Sequence, residues 1–168
     1  MQAAGYGAQD STQQALQSAI FQFERDFAYA LQCIPMAVRF KLDRCGIKVS
    51  LRQWSRFVPE ERNRLLGLRC EHSAEIEAYR KELEQLIQLR STQPTEYLPI
   101  EADPPWADAG NVPEPVIQYA AGMQVSPPSP RQWAGLSPLQ RFALVKLSRA
   151  KHDNVNFIPA MREFGLVD

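Results

Sequence analysis

The chain has 168 residues, with 19 Lys and Arg against 19 Asp and Glu, and 45% of its residues are hydrophobic. That length and composition describe a globular protein able to bury a sizeable core, and the even charge excludes a global pull toward nucleic acid or anionic lipid. No apolar run reaches bilayer length, Met1–Asp10 does not read as a secretory signal, and three cysteines point to a reducing cytoplasm rather than a disulfide framework.

Residues 1–18 are small and Gln-rich and are expected to be a disordered tail. Ile20, Phe23, Phe27 and Leu31 recur at helical spacing and predict a first helix over Ala19–Leu31. The next stretch, Ile34–Gly46, reads two ways. Val38, Phe40 and Leu42 alternate with Arg39, Lys41 and Asp43 as a strand would, whereas Pro35 suits a helix start and Gly46 a helix end. The related Val116–Gly122 shows no alternation, so helix is expected in both places.

That relation belongs to a larger one. Ser50–Leu65 returns as Ser129–Leu144, an offset of 79 residues (129 less 50), sharing Ser, Arg, Gln, Trp, Pro, Arg and Leu without a gap. Upstream, Ile34-Pro35 answers to Val112-Pro113, and Gly46–Ser50 to Gly122–Ser126. The pattern predicts an all-α fold, with residues 19–168 as one helical domain of two duplicated units, about 34–90 and 112–166, in a pseudo-two-fold relation. A Pro-rich connection, about 93–130, joins them and overlaps the start of the second unit.

Each copy reads as two short helices. Ser50 with Gln53, and Ser129 with Gln132, have capping-box spacing; Pro59 and Pro138 open the following helices, and Ser137 with Gln140 makes a further box. Trp54 with Phe57, and Trp133 with Leu136, share a face and are expected to anchor the core. Arg62 and Arg141 are expected to bond carbonyls at the corner of each unit. Ser73 is expected to cap a helix running to about Arg90, with Ile76, Tyr79, Leu83, Leu86 and Ile87 on one stripe. Nine of the 13 prolines fall between Pro94 and Pro130, where Tyr97 and Trp106 predict that part of the connection lies against the domain. Pro159 is expected to open a last helix and Gly165 to end it.

Charge is segregated. Residues 36–70 hold nine bases and three acids, while 71–114 hold ten acids and three bases. Either the blocks pair internally, or the bases form a docking surface for a protein partner, with Arg39, Lys41, Arg44, Arg141, Lys146 and Arg149 as its candidates.

The sequence offers no reaction centre: no glycine-rich phosphate loop, zinc-protease helix or nucleophile elbow. His72 and His152 precede the expected caps Ser73 and Asp153 and read as structural. Cys33, Cys45 and Cys70, with His72, lack a standard zinc or iron–sulfur spacing and read as small core residues, so no metal or cofactor is expected. Without a recognition helix or a basic footprint, no nucleic-acid partner is expected either.

Distributed motifs then narrow the reading. They are Phe21-x-Phe-Glu-x-Asp-Phe27, the run from Cys33 to Gly46, Trp54, Glu75-Ile-Glu-x-Tyr79, Trp133, Leu139–Arg149, His152–Ala160 and Glu163–Leu166. Over roughly 20–166 the chain resembles the conserved nitrate reductase-associated proteins found mostly in cyanobacteria. The resemblance implies a role in producing active assimilatory nitrate reductase, a molybdenum enzyme, and supplies no catalytic residue. The first reading is therefore a non-catalytic accessory or maturation factor that contacts the reductase or its cofactor-insertion machinery. An alternative is a small enzyme or carrier holding the molybdopterin pyrophosphate through Arg39, Lys41, Arg44 or Arg141. A third is a redox or metal module using the cysteines.

Overall fold

The computed structural model describes residues 14–149 and 155–168. The chain is mostly helical and divides at Ile100/Glu101 into two compact units. No helix among the described residues is long and apolar enough to cross a membrane.

In the first unit, residues 14–18 are helical, so the tail expected over 1–18 is in part a helical turn, its remainder lying outside the described residues. The helix expected over Ala19–Leu31 is shorter and broken, with a 3-10 turn at Gln22–Glu24 followed by α1, Arg25–Tyr29. The break has a cause in Glu24, only 2% exposed. Its carboxylate accepts from Phe21 N at 3.3 Å and from Met36 N at 2.9 Å, and so holds the start of the next helix.

That helix is α2, Met36–Cys45. Burial of Val38, Leu42 and Cys45 follows the helical period, while Phe40 stays only partly covered, so the strand-like alternation does not describe this segment. Pro35 stands at the N-cap, and Gly46, at φ 68°, turns the chain into the left-handed region that ends the helix. β1, Ile47–Lys48, pairs antiparallel with β2, Glu96–Tyr97, in the register Ile47↔Tyr97 and Lys48↔Glu96. Then come α3, Leu51–Arg56, α4, Pro59–Gly67, and α5, Ser73–Arg90. Helix α2 packs on α4 and α5, and α3 on α5. Tyr79, Leu83, Leu86 and Ile87 are the buried stripe of α5, with Ile76 only partly covered. The cap of α5 differs from expectation. His72, not Ser73, is the N-cap, and the Glu75 carboxylate takes the His72 and Glu71 N–H groups at 3.2 and 2.9 Å.

The second unit holds α6, Glu114–Gly122, α7, Pro130–Gly135, α8, Pro138–Arg149, and α9, Phe157–Glu163. Helix α8 carries the core, with Phe142, Ala143 and Leu144 fully covered and both α6 and α9 packed on it. Pro159 is the third residue of α9 rather than its first. Gly165, at φ 70°, ends it: Leu166 N reaches back to Met161 O at 2.9 Å. Leu31 and Gln124 occupy the same left-handed position after α1 and α6, where glycine is the ordinary choice.

Candidate functional site

The corners of the two units are built alike. Ser50 Oγ accepts from Gln53 N at 3.1 Å while Gln53 Oε1 accepts from Ser50 N at 2.9 Å; Ser129 and Gln132 do the same at 3.2 and 2.9 Å. Each box starts a six-residue helix whose tryptophan is buried, Trp54 in α3 and Trp133 in α7. Three residues on, Phe57 and Leu136 are buried in extended conformation and donate their N–H to the tryptophan carbonyl at 3.2 and 3.1 Å. Arg62 Nη1 donates to Phe57 O, and Arg141 Nη1 donates to Leu136 O at 2.6 Å. These arginines hold carbonyls five residues upstream. The corner arginine is a brace.

The two corners differ in what covers them. In the second unit, the Pro-rich segment lays two main-chain carbonyls on the pair: Trp106 O accepts from Arg141 Nε at 2.8 Å, and Asp108 O accepts from Trp133 Nε1 at 2.9 Å. The Trp106 ring meets Phe142 edge-on at 6.3 Å. Asp108 is held in place by its own turn, its carboxylate accepting from Asn111 Nδ2 and Gly110 N at 2.8 Å each, which lowers its pKa. In the first unit, Trp54 Nε1 is buried and has no hydrogen-bond partner among the described residues.

The basic residues expected to form a docking surface are mostly committed elsewhere. Lys41 Nζ donates to Leu66 O at 2.7 Å, Leu68 O at 2.6 Å and Leu65 O at 3.3 Å, so all three of its donors close the C-terminal end of α4. Burial pulls its ammonium below the usual lysine range. Arg44 Nη1 donates to Cys70 O at 2.9 Å, its guanidinium stacked over the Phe40 ring. Arg39 leans on the Met36 sulfur. Arg141 is 7% exposed and braces its corner, and Lys146 lies over the Phe142 ring. Arg149 is exposed. The expected surface thus loses Lys41 and Arg141 to main-chain carbonyls. Much of the charge segregation resolves into internal pairs between the basic and acidic blocks: Lys48–Glu96, Arg64–Glu82, Arg69–Glu71 and Arg69–Glu75.

The thiols are suppressed. Burial and the neighbouring Glu24 carboxylate push Cys33 up to about 11, burial chiefly pushes Cys45 up to about 12, and burial also raises Cys70. All three are free cysteines, Cys45 and Cys70 in the core. His72 stands beside Glu71 and Glu75 in an exposed group whose ligand atoms lie within 4.8 Å of one another, and the capping bonds of Glu75 and its pairing with Arg69 account for that arrangement. His152 and Asp153 lie outside the described residues.

Comparison with protein families matches residues 20–164 to the family described as conserved nitrate reductase-associated protein. The chain belongs to that family. Neither the curated proteins nor the solved structures give a match. In this nitrate reductase-associated protein the motif residues turn out to be mainly architectural. Glu24 holds Met36 N, Gly46 turns the chain, Tyr79 donates to Leu65 O at 3.0 Å, Gln140 caps α8 with Ser137, and Arg141 braces α7. Sequence reasoning placed Trp106 against the domain, where its ring meets Phe142, but missed the roles of Glu24 and of the Trp106 and Asp108 carbonyls. Glu24 acts through a contact twelve residues away, and the other two act through carbonyls, which every residue possesses.

Proposed function

We propose that this chain is a non-catalytic accessory factor, acting in the cytoplasm, that brings or keeps molybdenum-dependent assimilatory nitrate reductase in its active form by direct protein–protein contact. Family membership is the observation that carries the reading. The site chemistry agrees with it: thiols held protonated by burial and a lysine and an arginine spent on main-chain carbonyls describe a scaffold more than a reaction centre. The same commitments weigh against the carrier alternative, since Lys41 has no donor left for a pyrophosphate. The matched corners at Ser50 and Ser129, Trp54 and Trp133, and Arg62 and Arg141 support reading the units as copies of one ancestral helical element.

The test is genetic and biochemical together. Deleting the gene should lower nitrate reductase activity in extracts while growth on nitrite is unchanged, and the tagged protein should retain the reductase or a cofactor-insertion protein from nitrate-grown cells. Full reductase activity in the deletion strain would remove the proposal.

A further inference from the structure

The unpartnered indole of Trp54 lies in a place where the second unit shows what such a corner can hold. Trp54 is 3% exposed, and its Nε1 has no acceptor among the described residues. Buried indole N–H groups ordinarily find one, and an orphan needs a reason. Trp54 lines a cavity of about 210 Å³ in the first unit, together with Tyr29, Leu31, Pro35, Arg62 and Asn63. At the positions 79 residues on, Trp133 Nε1 and Arg141 Nε each hold a main-chain carbonyl, from Asp108 and Trp106, at 2.9 and 2.8 Å. The donors of the braced tryptophan–arginine pair are therefore a receptor for two peptide carbonyls two residues apart. In the second unit the receptor is filled by the chain's own Pro104–Asp108.

We infer that the cavity beside Trp54 is a docking site for a short proline-bearing peptide segment of a partner protein, whose main-chain carbonyls accept from Trp54 Nε1 and Arg62. The lining suits such an occupant. Proline-bearing segments carry carbonyls that are not used within their own backbone, and they are recognised in grooves made of aromatic rings and prolines. Here Tyr29 is largely exposed at the cavity, and Trp54, Pro35 and Pro59 complete the wall. The rim is formed in part by Leu31, which sits at φ 54° after the end of the short α1. At about 210 Å³ the cavity takes only a short span of chain, so the site reads a short motif rather than a long interface. It does not depend on the nitrate reductase assignment, because it rests on the unpartnered Trp54 indole, the cavity beside it and the filled corner of the second unit.

The experiment uses the full chain, labelled with nitrogen-15, and a synthetic peptide copying residues 103–111. The Trp54 indole N–H signal is identified by its loss in Trp54→Phe. On titration to millimolar peptide, that signal should move downfield in a saturable way while the Trp133 indole signal stays in place. Trp54→Phe should weaken binding at least tenfold with the amide spectrum otherwise dispersed as in the parent. Asn63→Trp, which fills the cavity from its half-exposed wall, should abolish binding if Trp54→Phe fails to fold. A Trp54 signal that does not move, an equal response in the variants, or exchange with water alone would overturn the site. A Trp54 signal that moves on simple dilution would assign the cavity to a second copy of the chain and overturn the partner peptide.

Discussion

Replacing Gly46 by Ala tests the joint where α2 turns into the β ladder. The residue stands at φ 68°, and a β-carbon there would meet Leu98 O at 2.9 Å and Ile100 Cγ1 at 3.0 Å. The left-handed conformation alone costs an L-residue about 1–2 kcal/mol. The closer contact is with a main-chain oxygen, which cannot swing aside as a side chain would. Relieving it disturbs the Leu98 N–H bond to Gly46 O, now 2.9 Å, worth about 0.5–1.5 kcal/mol. Together the loss is roughly 1.5–3.5 kcal/mol, or about a 10- to 300-fold shift in the local opening equilibrium. Amide hydrogen exchange at Leu98 reads that shift directly, with urea unfolding as the global measure. Gly165→Ala is the control: φ is 70° and nothing lies within 4 Å of its added β-carbon, so only the conformational part is lost. Each variant is measured against the parent in its own unit. If Gly46→Ala costs no more than Gly165→Ala, or Leu98 keeps its protection, the close approach of Leu98 O is not what demands glycine.

Arg141→Lys should destabilise the second unit by about 2–4 kcal/mol in urea unfolding, because an ammonium cannot span the Leu136 and Trp106 carbonyls that the guanidinium fork holds; a redder Trp106 emission would accompany it. Glu61 is 15% exposed and bound to Arg90 at 2.8 Å, and that bond lowers its pKa below the usual glutamate range. The stabilisation it gives is present in full above the unfolded-state pKa and is lost as pH falls through the depressed native value, so Glu61→Gln should flatten the acid limb of a stability–pH profile. At pH 8 a thiol with a pKa near 11 is about one part in a thousand thiolate, so Cys33 should react far more slowly with a disulfide reagent than it does in urea. Fast labelling of the native chain would return the cysteines to consideration as a redox group.

What the sequence made legible was local. The capping boxes at Ser50, Ser129 and Ser137, the helix starts at Pro59 and Pro138 and the Gly46 stop depend on residues within a few positions of one another and appear in the structure, whereas the cap expected at Ser73 falls on His72 and the start expected at Pro159 falls on Phe157. The corner arginines were legible for the same reason, since Arg62 and Arg141 act five residues upstream. Readings failed where one side chain served a distant backbone. The apolar spacing of Phe23 and Phe27 promised a continuous helix, but Glu24 is drawn off to Met36 N. Lys41 looked like a surface charge because no pattern announces that a lysine will close the end of a helix 24 to 27 residues further along. The unanswered indole of Trp54 was invisible, because sequence records donors and not whether they are met.

The proline-rich connection looked like one long loop, yet it is strapped at both ends. Leu98 is hydrogen-bonded to Gly46, with Ile100 packed on that glycine, and from Trp106 onward the chain lies on Arg141 and Trp133. Between the straps run Glu101–Pro105, five residues that coincide with the boundary between the units. A protease cut there severs neither strap. Each product would keep its own ladder or corner.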